Sequence, residues 1–145
     1  MKDSTKQIIL SRFKQQNIRT TPQRIAVYGY LLEHRTHPTI DTVYSALKSS
    51  NPSLSKTTVY NTVDVLAGYG LILMLPSDTG EIRLDGYTHL HGHFFCSQCH
   101  DVYDFECDEP TPSSSLTTFD VAQYSLYATG ICPSCKKKNT KRRDL

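Results

Sequence analysis

Cys96-Ser97-Gln98-Cys99 and Cys132-Pro133-Ser134-Cys135 are two CxxC pairs, and His89-Leu90-His91-Gly92-His93 runs directly ahead of the first. Two such pairs can supply four thiolates, the donor set of a closed, tetrahedral structural Zn²⁺ site. The imidazoles, with carboxylates nearby, form a harder N/O set that suits a different and more exchangeable divalent ion. For the cysteines, disulfides and a redox CxxC are the alternatives. Met1-Lys2-Asp3-Ser4-Thr5-Lys6-Gln7 lacks the apolar core of a secretion signal, and no stretch reaches the roughly 20 apolar residues of a membrane span. The expected compartment is therefore the cytoplasm, where thiols stay reduced and ligate metals. Cys107, the odd cysteine, is expected to be a small buried apolar residue.

Charge is segregated along the 145 residues. Residues 1–84 hold ten basic and six acidic side chains, whereas residues 85–135 hold seven acidic side chains and no Lys or Arg. The last ten residues carry six basic side chains and one Asp. An acidic middle suits cations and a basic front suits a polyanion. The basic tail is expected to be a solvated, disordered end.

These donors need elements to position them. Ile8, Ile9 and Phe13 give residues 4–16 one apolar helical face. Thr21 followed by Pro22 reads as an N-cap and first turn, opening a helix through Ile25, Val27, Tyr28, Leu31 and Leu32 that Pro38 ends. Residues 39–47 form a third helix with Ile40, Val43, Tyr44 and Leu47 on one face. Ser55 caps a fourth, which runs through Val59, Val63 and Leu66 to a Gly68-Tyr69-Gly70 stop. An apolar run over 71–75, a turn over 76–80 and a strand over 81–84 make a β-hairpin. Helices followed by a hairpin are the plan of a winged helix, whose fourth helix here would enter a DNA major groove. Lys56, Thr57, Thr58, Tyr60 and Asn61 on that helix, and Arg19 ahead of the second, are the candidate phosphate and base contacts.

Strands are expected over 93–96, 101–106 and 123–131, with the first CxxC as the turn between the first two and a Pro/Ser-rich loop over 109–115. Thirty-two residues separate Cys99 from Cys132, so the second pair must return across a small sheet to meet the first. The fold class is α+β: a winged-helix DNA-binding domain over 1–85, a hinge over 86–90, and an α/β metal-binding domain over 91–145 ending in the basic tail.

Thr21-Pro22-Gln23-Arg24, His37-Pro38-Thr39, Thr58-Val59-Tyr60-Asn61, Gly70-Leu71-Ile72, His91-Gly92-His93 and the two CxxC pairs stand in the order found in the ferric uptake regulator (Fur) superfamily, which this chain resembles over nearly its whole length. The resemblance implies a homodimeric, metal-dependent bacterial repressor that binds double-stranded DNA and is not an enzyme. It implies structural Zn²⁺ on Cys96, Cys99, Cys132 and Cys135, and a regulatory ion on His37, Asp85, His91, His93 and Asp104. With Asp at 104 where iron-uptake members usually carry Glu, the set resembles the peroxide-responsive branch. That likeness implies Fe²⁺ or Mn²⁺ in the site and oxidation of His37 or His91 by iron and hydrogen peroxide.

The chain departs from the family where many members carry histidines before the last CxxC, since it reads Val121-Ala122-Gln123-Tyr124-Ser125, so a third metal site is not expected. Leu90 and Gly92 stand where some iron regulators place additional ligands. The loop over 109–119 is short where relatives often have a helix. His89 is either a substitute for His91 or no ligand, His100 flanks the zinc knuckle, and His34 ends a helix. Other functions compatible with these residues are iron- or zinc-uptake regulation within the same superfamily, a hydrolytic metal site, and a zinc-ribbon interaction module.

Overall fold

The computed structural model describes residues 1–77, 79–108 and 113–143, and side chains as far as Thr140. The chain forms two compact units, Met1–Thr88 and His89–Leu145. Together they make an α+β fold with helices and two small antiparallel or mixed sheets.

In the first unit, α1 spans Asp3–Gln15, α2 Pro22–Glu33, α3 Ile40–Lys48 and α4 Lys56–Gly68. Three of these starts are written in the local chemistry. Thr21, Thr39 and Ser55 are N-caps whose hydroxyls accept the backbone N–H three residues on, at 3.2, 3.1 and 3.0 Å, satisfying donors that the first turn leaves unpaired. Helix α2 stops at Glu33, with His34 as its C-cap, and so ends ahead of the expected stop at Pro38. Gly70, at φ +67°, takes the left-handed conformation just beyond α4. Strands β1 (Leu73–Pro76) and β2 (Ile82–Asp85) then pair antiparallel, Leu73 opposite Asp85. Ile9, Phe13, Val27, Leu31, Val43, Val59, Val63, Leu66 and Leu84 fill one continuous apolar core. Asp78 of the hairpin turn lies outside the described residues.

The second unit is a three-stranded sheet in the order β4-β3-β5, with β3 at Gly92–Cys96, β4 at Val102–Phe105 and β5 at Leu126–Gly130. β3 pairs antiparallel with β4 and parallel with β5. Gly92 is required there, because a Cβ on it would stand 2.2 Å from the Phe105 ring. The expected strand over 123–131 is shorter than its pattern, and the loop contains a single 3-10 turn, Ser114–Leu116. Residues 109–112 of that loop lie outside the described residues.

The tail expected to be disordered is helical: α5 spans Pro133–Arg143. Its proline sits in the first turn, lysine is a good helix former, and Asn139 Nδ2 donates to Gln98 Oε1 at 3.0 Å across to the first CxxC. Cys107 is half-buried and not fully enclosed. Among the described residues the buried cluster of this unit is Cys96, Cys132 and Cys135, with Phe94 against it, and Phe95 is buried as well.

Candidate metal centre

Strand register brings the four cysteines together. The parallel β3/β5 pairing sets Cys96 opposite Gly130, and Ser97 N–H donates to the Gly130 carbonyl at 2.8 Å. The chain leaving β5 therefore reaches Cys132 beside the first pair. All four sulfurs lie within 4.8 Å of one another, and Cys99 and Cys132 Sγ are 3.8 Å apart. A tetrahedron with Zn–S bonds of about 2.3 Å has edges of roughly 3.8 Å, so the spacing is that of ligands and not of a disulfide. Cys132 N–H donates to Cys96 Sγ at 3.3 Å and Cys135 N–H to Cys132 Sγ at 3.4 Å, the backbone support that thiolates need.

The thiols titrate apart. Backbone N–H groups of Cys99 and Cys132 pull Cys96 down to about 6. The Cys135 backbone and the Tyr103 hydroxyl lower Cys132. Cys99 is eased down by the Asp101 backbone, but burial and the three neighbouring sulfurs outweigh this and push it up to about 12. Burial and Cys132 raise Cys135. Four negative charges cannot share this space without a cation.

Each unit also holds candidate nitrogen and oxygen ligands of its own. In the second, His93 lies on β3 and His91 immediately precedes that strand, and the antiparallel register sets Asp104 directly opposite His93. Asp104 Oδ1 lies 3.3 Å from His91 Nε2 and 3.7 Å from His93 Nε2. His91 Nδ1 lies 2.7 Å from the His89 carbonyl. The carbonyl can only accept, so a proton belongs on Nδ1, and Nε2, facing Asp104, is the nitrogen available to a metal.

In the first unit, His37 Nε2 stands 3.7 Å from Asp85 Oδ2, while Asp85 Oδ1 accepts the Tyr87 N–H at 2.8 Å. His37 holds φ +48°, a left-handed conformation that a non-glycine residue adopts only where its surroundings impose it. Metal–ligand bonds near 2.1 Å give ligand–ligand edges of roughly 3.0 to 3.5 Å, so both parts are spaced at or slightly beyond the edge of a coordination shell. Imidazole nitrogens and carboxylate oxygens fit a first-row divalent ion.

On α4, Thr57, Tyr60 and Asn61 are exposed. Thr58 is partly committed, its hydroxyl 2.7 Å from that of Ser55. Lys56 Nζ lies 2.5 Å from Asp41 Oδ1 on α3, and the Asp41 hydrogen bond raises the lysine's pKa. Arg19 is exposed and its carbonyl accepts from Arg24 Nη1 at 2.8 Å. The pairing of Asp41 with Lys56, the Tyr103 hydroxyl and the His89 carbonyl were not foreseen. His100, at φ +61°, closes the Cys96–Cys99 turn through its N–H to the Cys96 carbonyl, at 2.9 Å.

Residues 15–129 match the ferric uptake regulator family. The chain belongs to this family. Its members are transcriptional regulators and not enzymes, so this Fur-family chain is a metal-responsive regulator. It is 34% identical over 133 residues, covering 89% of this chain and 90% of the relative, to the peroxide-responsive repressor PerR of Staphylococcus aureus (strain Mu50 / ATCC 700699). A crystal structure of the Campylobacter jejuni peroxide stress regulator is similar at TM-score 0.65 and 27% identity, over 87% of this chain and 98% of that one. The Helicobacter pylori ferric uptake regulator shares the fold at TM-score 0.70 and 15% identity, over 92% and 93%. Among the described residues, no helix is long and apolar enough to cross a membrane.

Proposed function

We propose that this Fur-family regulator is a homodimeric, DNA-binding repressor that senses hydrogen peroxide through oxidation of a histidine ligand. The observation that carries the proposal is the Asp104 carboxylate facing two imidazole Nε2 atoms across one strand pair. This is an oxygen- and nitrogen-only site with the short acid in place of Glu. Likeness to PerR and to a peroxide stress regulator supports the same branch.

In this proposal His37 and Asp85 join His91, His93 and Asp104 in holding one Fe²⁺ or Mn²⁺, while Cys96, Cys99, Cys132 and Cys135 hold Zn²⁺. Bound Fe²⁺ would supply the one-electron chemistry that turns peroxide into an oxidant beside the imidazoles of His37 and His91. An oxidised imidazole is a poor donor. Losing it releases the first unit's ligands from the second's and ends repression. The protein is thereby spent as a sensor and does not turn over.

Lys56, Thr57, Thr58, Tyr60, Asn61 and Arg19 would contact operator DNA. The partner copy would meet the edge of β5, where Leu126, Tyr127 and Ile131 are exposed beside a strand edge unpaired among the described residues. The setting is cytoplasmic, where thiols remain ligands.

Selection from random duplexes in the presence of Mn²⁺, followed by titration of the recovered sequence, tests the regulator. Binding is expected to require metal, to weaken with salt, and to be lost in His37→Ala and Asp104→Ala. Metal-independent, sequence-indifferent binding would overturn the proposal. Metal-dependent binding that survives peroxide in the iron form would favour an iron- or zinc-uptake regulator.

A further inference from the structure

Three contacts within the first unit converge on the short strap Asp85-Gly86-Tyr87. Asp85 Oδ1 is fixed by the Tyr87 N–H at 2.8 Å. Gly86 lies so close to the last turn of α2 that a Cβ on it would stand 2.7 Å from the Leu31 carbonyl oxygen. The Arg35 guanidinium carbon sits 4.1 Å above the centre of the Tyr87 ring, within the range of a cation–π contact.

Arg35 is two residues ahead of His37. On the other side of His37 the chain is pinned to β2, where Leu84 N–H donates to the Pro38 carbonyl at 2.9 Å and Arg83 Nη1 to the His37 carbonyl at 3.4 Å. His37 is thus held in its left-handed conformation between the Arg35 contact and the β2 contacts. The strap held by Arg35 also carries Asp85.

We propose that Arg35 and Tyr87 are positioning residues, a clasp that fixes the His37 imidazole against the Asp85 carboxylate for metal binding. The inference rests on reading His37 and Asp85 as ligands. Both side chains are exposed, and loss of an exposed cation–π contact changes a coupled equilibrium by about two- to fivefold.

The test uses the full-length zinc-containing protein, with Mn²⁺ as the affinity probe and the visible absorption of Co²⁺ as the report on coordination. Tyr87→Leu and Arg35→Gln are each expected to weaken Mn²⁺ binding about three- to fivefold. The double variant should lose no more than either alone, because one contact is removed in all three. Tyr87→Phe, which keeps the ring face, should stay within about twofold of the unaltered protein.

At saturating Co²⁺ the Leu and Gln variants should show altered band intensity, with zinc content and melting temperature unchanged. A saturated Co²⁺ spectrum identical to that of the unaltered protein overturns the clasp. So do losses that add in the double variant, and so does unaltered Mn²⁺ affinity in both single variants when His37→Ala has lost it. If His37→Ala itself binds Mn²⁺ normally, it is the ligand assignment beneath the proposal that fails.

Discussion

In the proposed sensor, Asp104 is the residue at which one methylene separates two behaviours. Lengthening it to Glu keeps the charge and the oxygens but moves the carboxylate relative to His91 and His93, now 3.3 and 3.7 Å from it. Displacements of about 1 Å can cost 10²-fold in a reaction that depends on orientation. Asp104→Glu should therefore retain Mn²⁺-dependent DNA binding and slow histidine oxidation in the iron form by at least about tenfold, read by peptide mass after a peroxide pulse. The cysteines make a second prediction. With Cys99 pushed up to about 12 and Cys135 raised, both carry protons at neutral pH, and zinc must displace them. Zinc uptake at pH 7 should release these two protons, measurable by calorimetry in buffers of different protonation enthalpy. Cys96, pulled down to about 6, is already a thiolate at pH 7 and regains its proton as pH falls through about 6, so zinc affinity should fall more steeply below that point. The candidate ligands were legible in the sequence because residue type and order mark them. The tautomer of His91 was not, because it is set by a backbone carbonyl that leaves no trace in residue type. Nor was Asp41, whose contact with Lys56 depends on how α3 packs beside α4.

At the scale of elements, capping residues and apolar periodicity were enough to place the four helices of the first unit. Thr21 and Ser55 each announce a start that the structure keeps, and Thr39, expected as the first residue of the third helix, is its N-cap. Ser55→Ala should cost about 1 kcal/mol of that unit's stability, and Leu66→Ala, which empties a fully buried position of α4, about 3 kcal/mol. Urea denaturation followed by far-UV circular dichroism would check both. Two boundaries were misread for physical reasons. Proline restricts the residue before it, but α2 gives way earlier, so that His34 can cap it and His37 can turn left-handed. The basic tail has the composition of a solvated end, yet α5 starts from a proline within the second CxxC and is tied by Asn139 to Gln98. That anchor joins residues 41 apart and could not be read locally.

Across the whole molecule, stability is divided unequally. The first unit buries a continuous apolar core, while the buried cluster of the second, among the described residues, is three cysteines, so metal binding should supply much of its folding energy. Removing zinc with a strong chelator, or changing Cys132 to Ser, should melt the β3-β4-β5 sheet and leave the α1–α4 unit folded. Amide resonances assigned to the two units would separate the outcomes, and a well-folded, dimeric Cys132→Ser protein would contradict the prediction. The order of motifs made the two-unit plan legible, and the crossover that returns Cys132 to Cys96 followed from the need to complete one tetrahedral site. The parallel pairing of β3 with β5, which accomplishes it, came only with the structure.

The central claim is that iron, peroxide and a ligand histidine act together to end DNA binding. The most direct measurement loads the zinc-containing protein anaerobically with Fe²⁺ or with Mn²⁺, adds a small excess of hydrogen peroxide, and follows DNA binding together with intact and peptide mass. The account predicts a gain of one oxygen on His37 or His91 in the iron form alone, with DNA binding lost in step. Retained DNA binding and unmodified histidines in the iron form would contradict it.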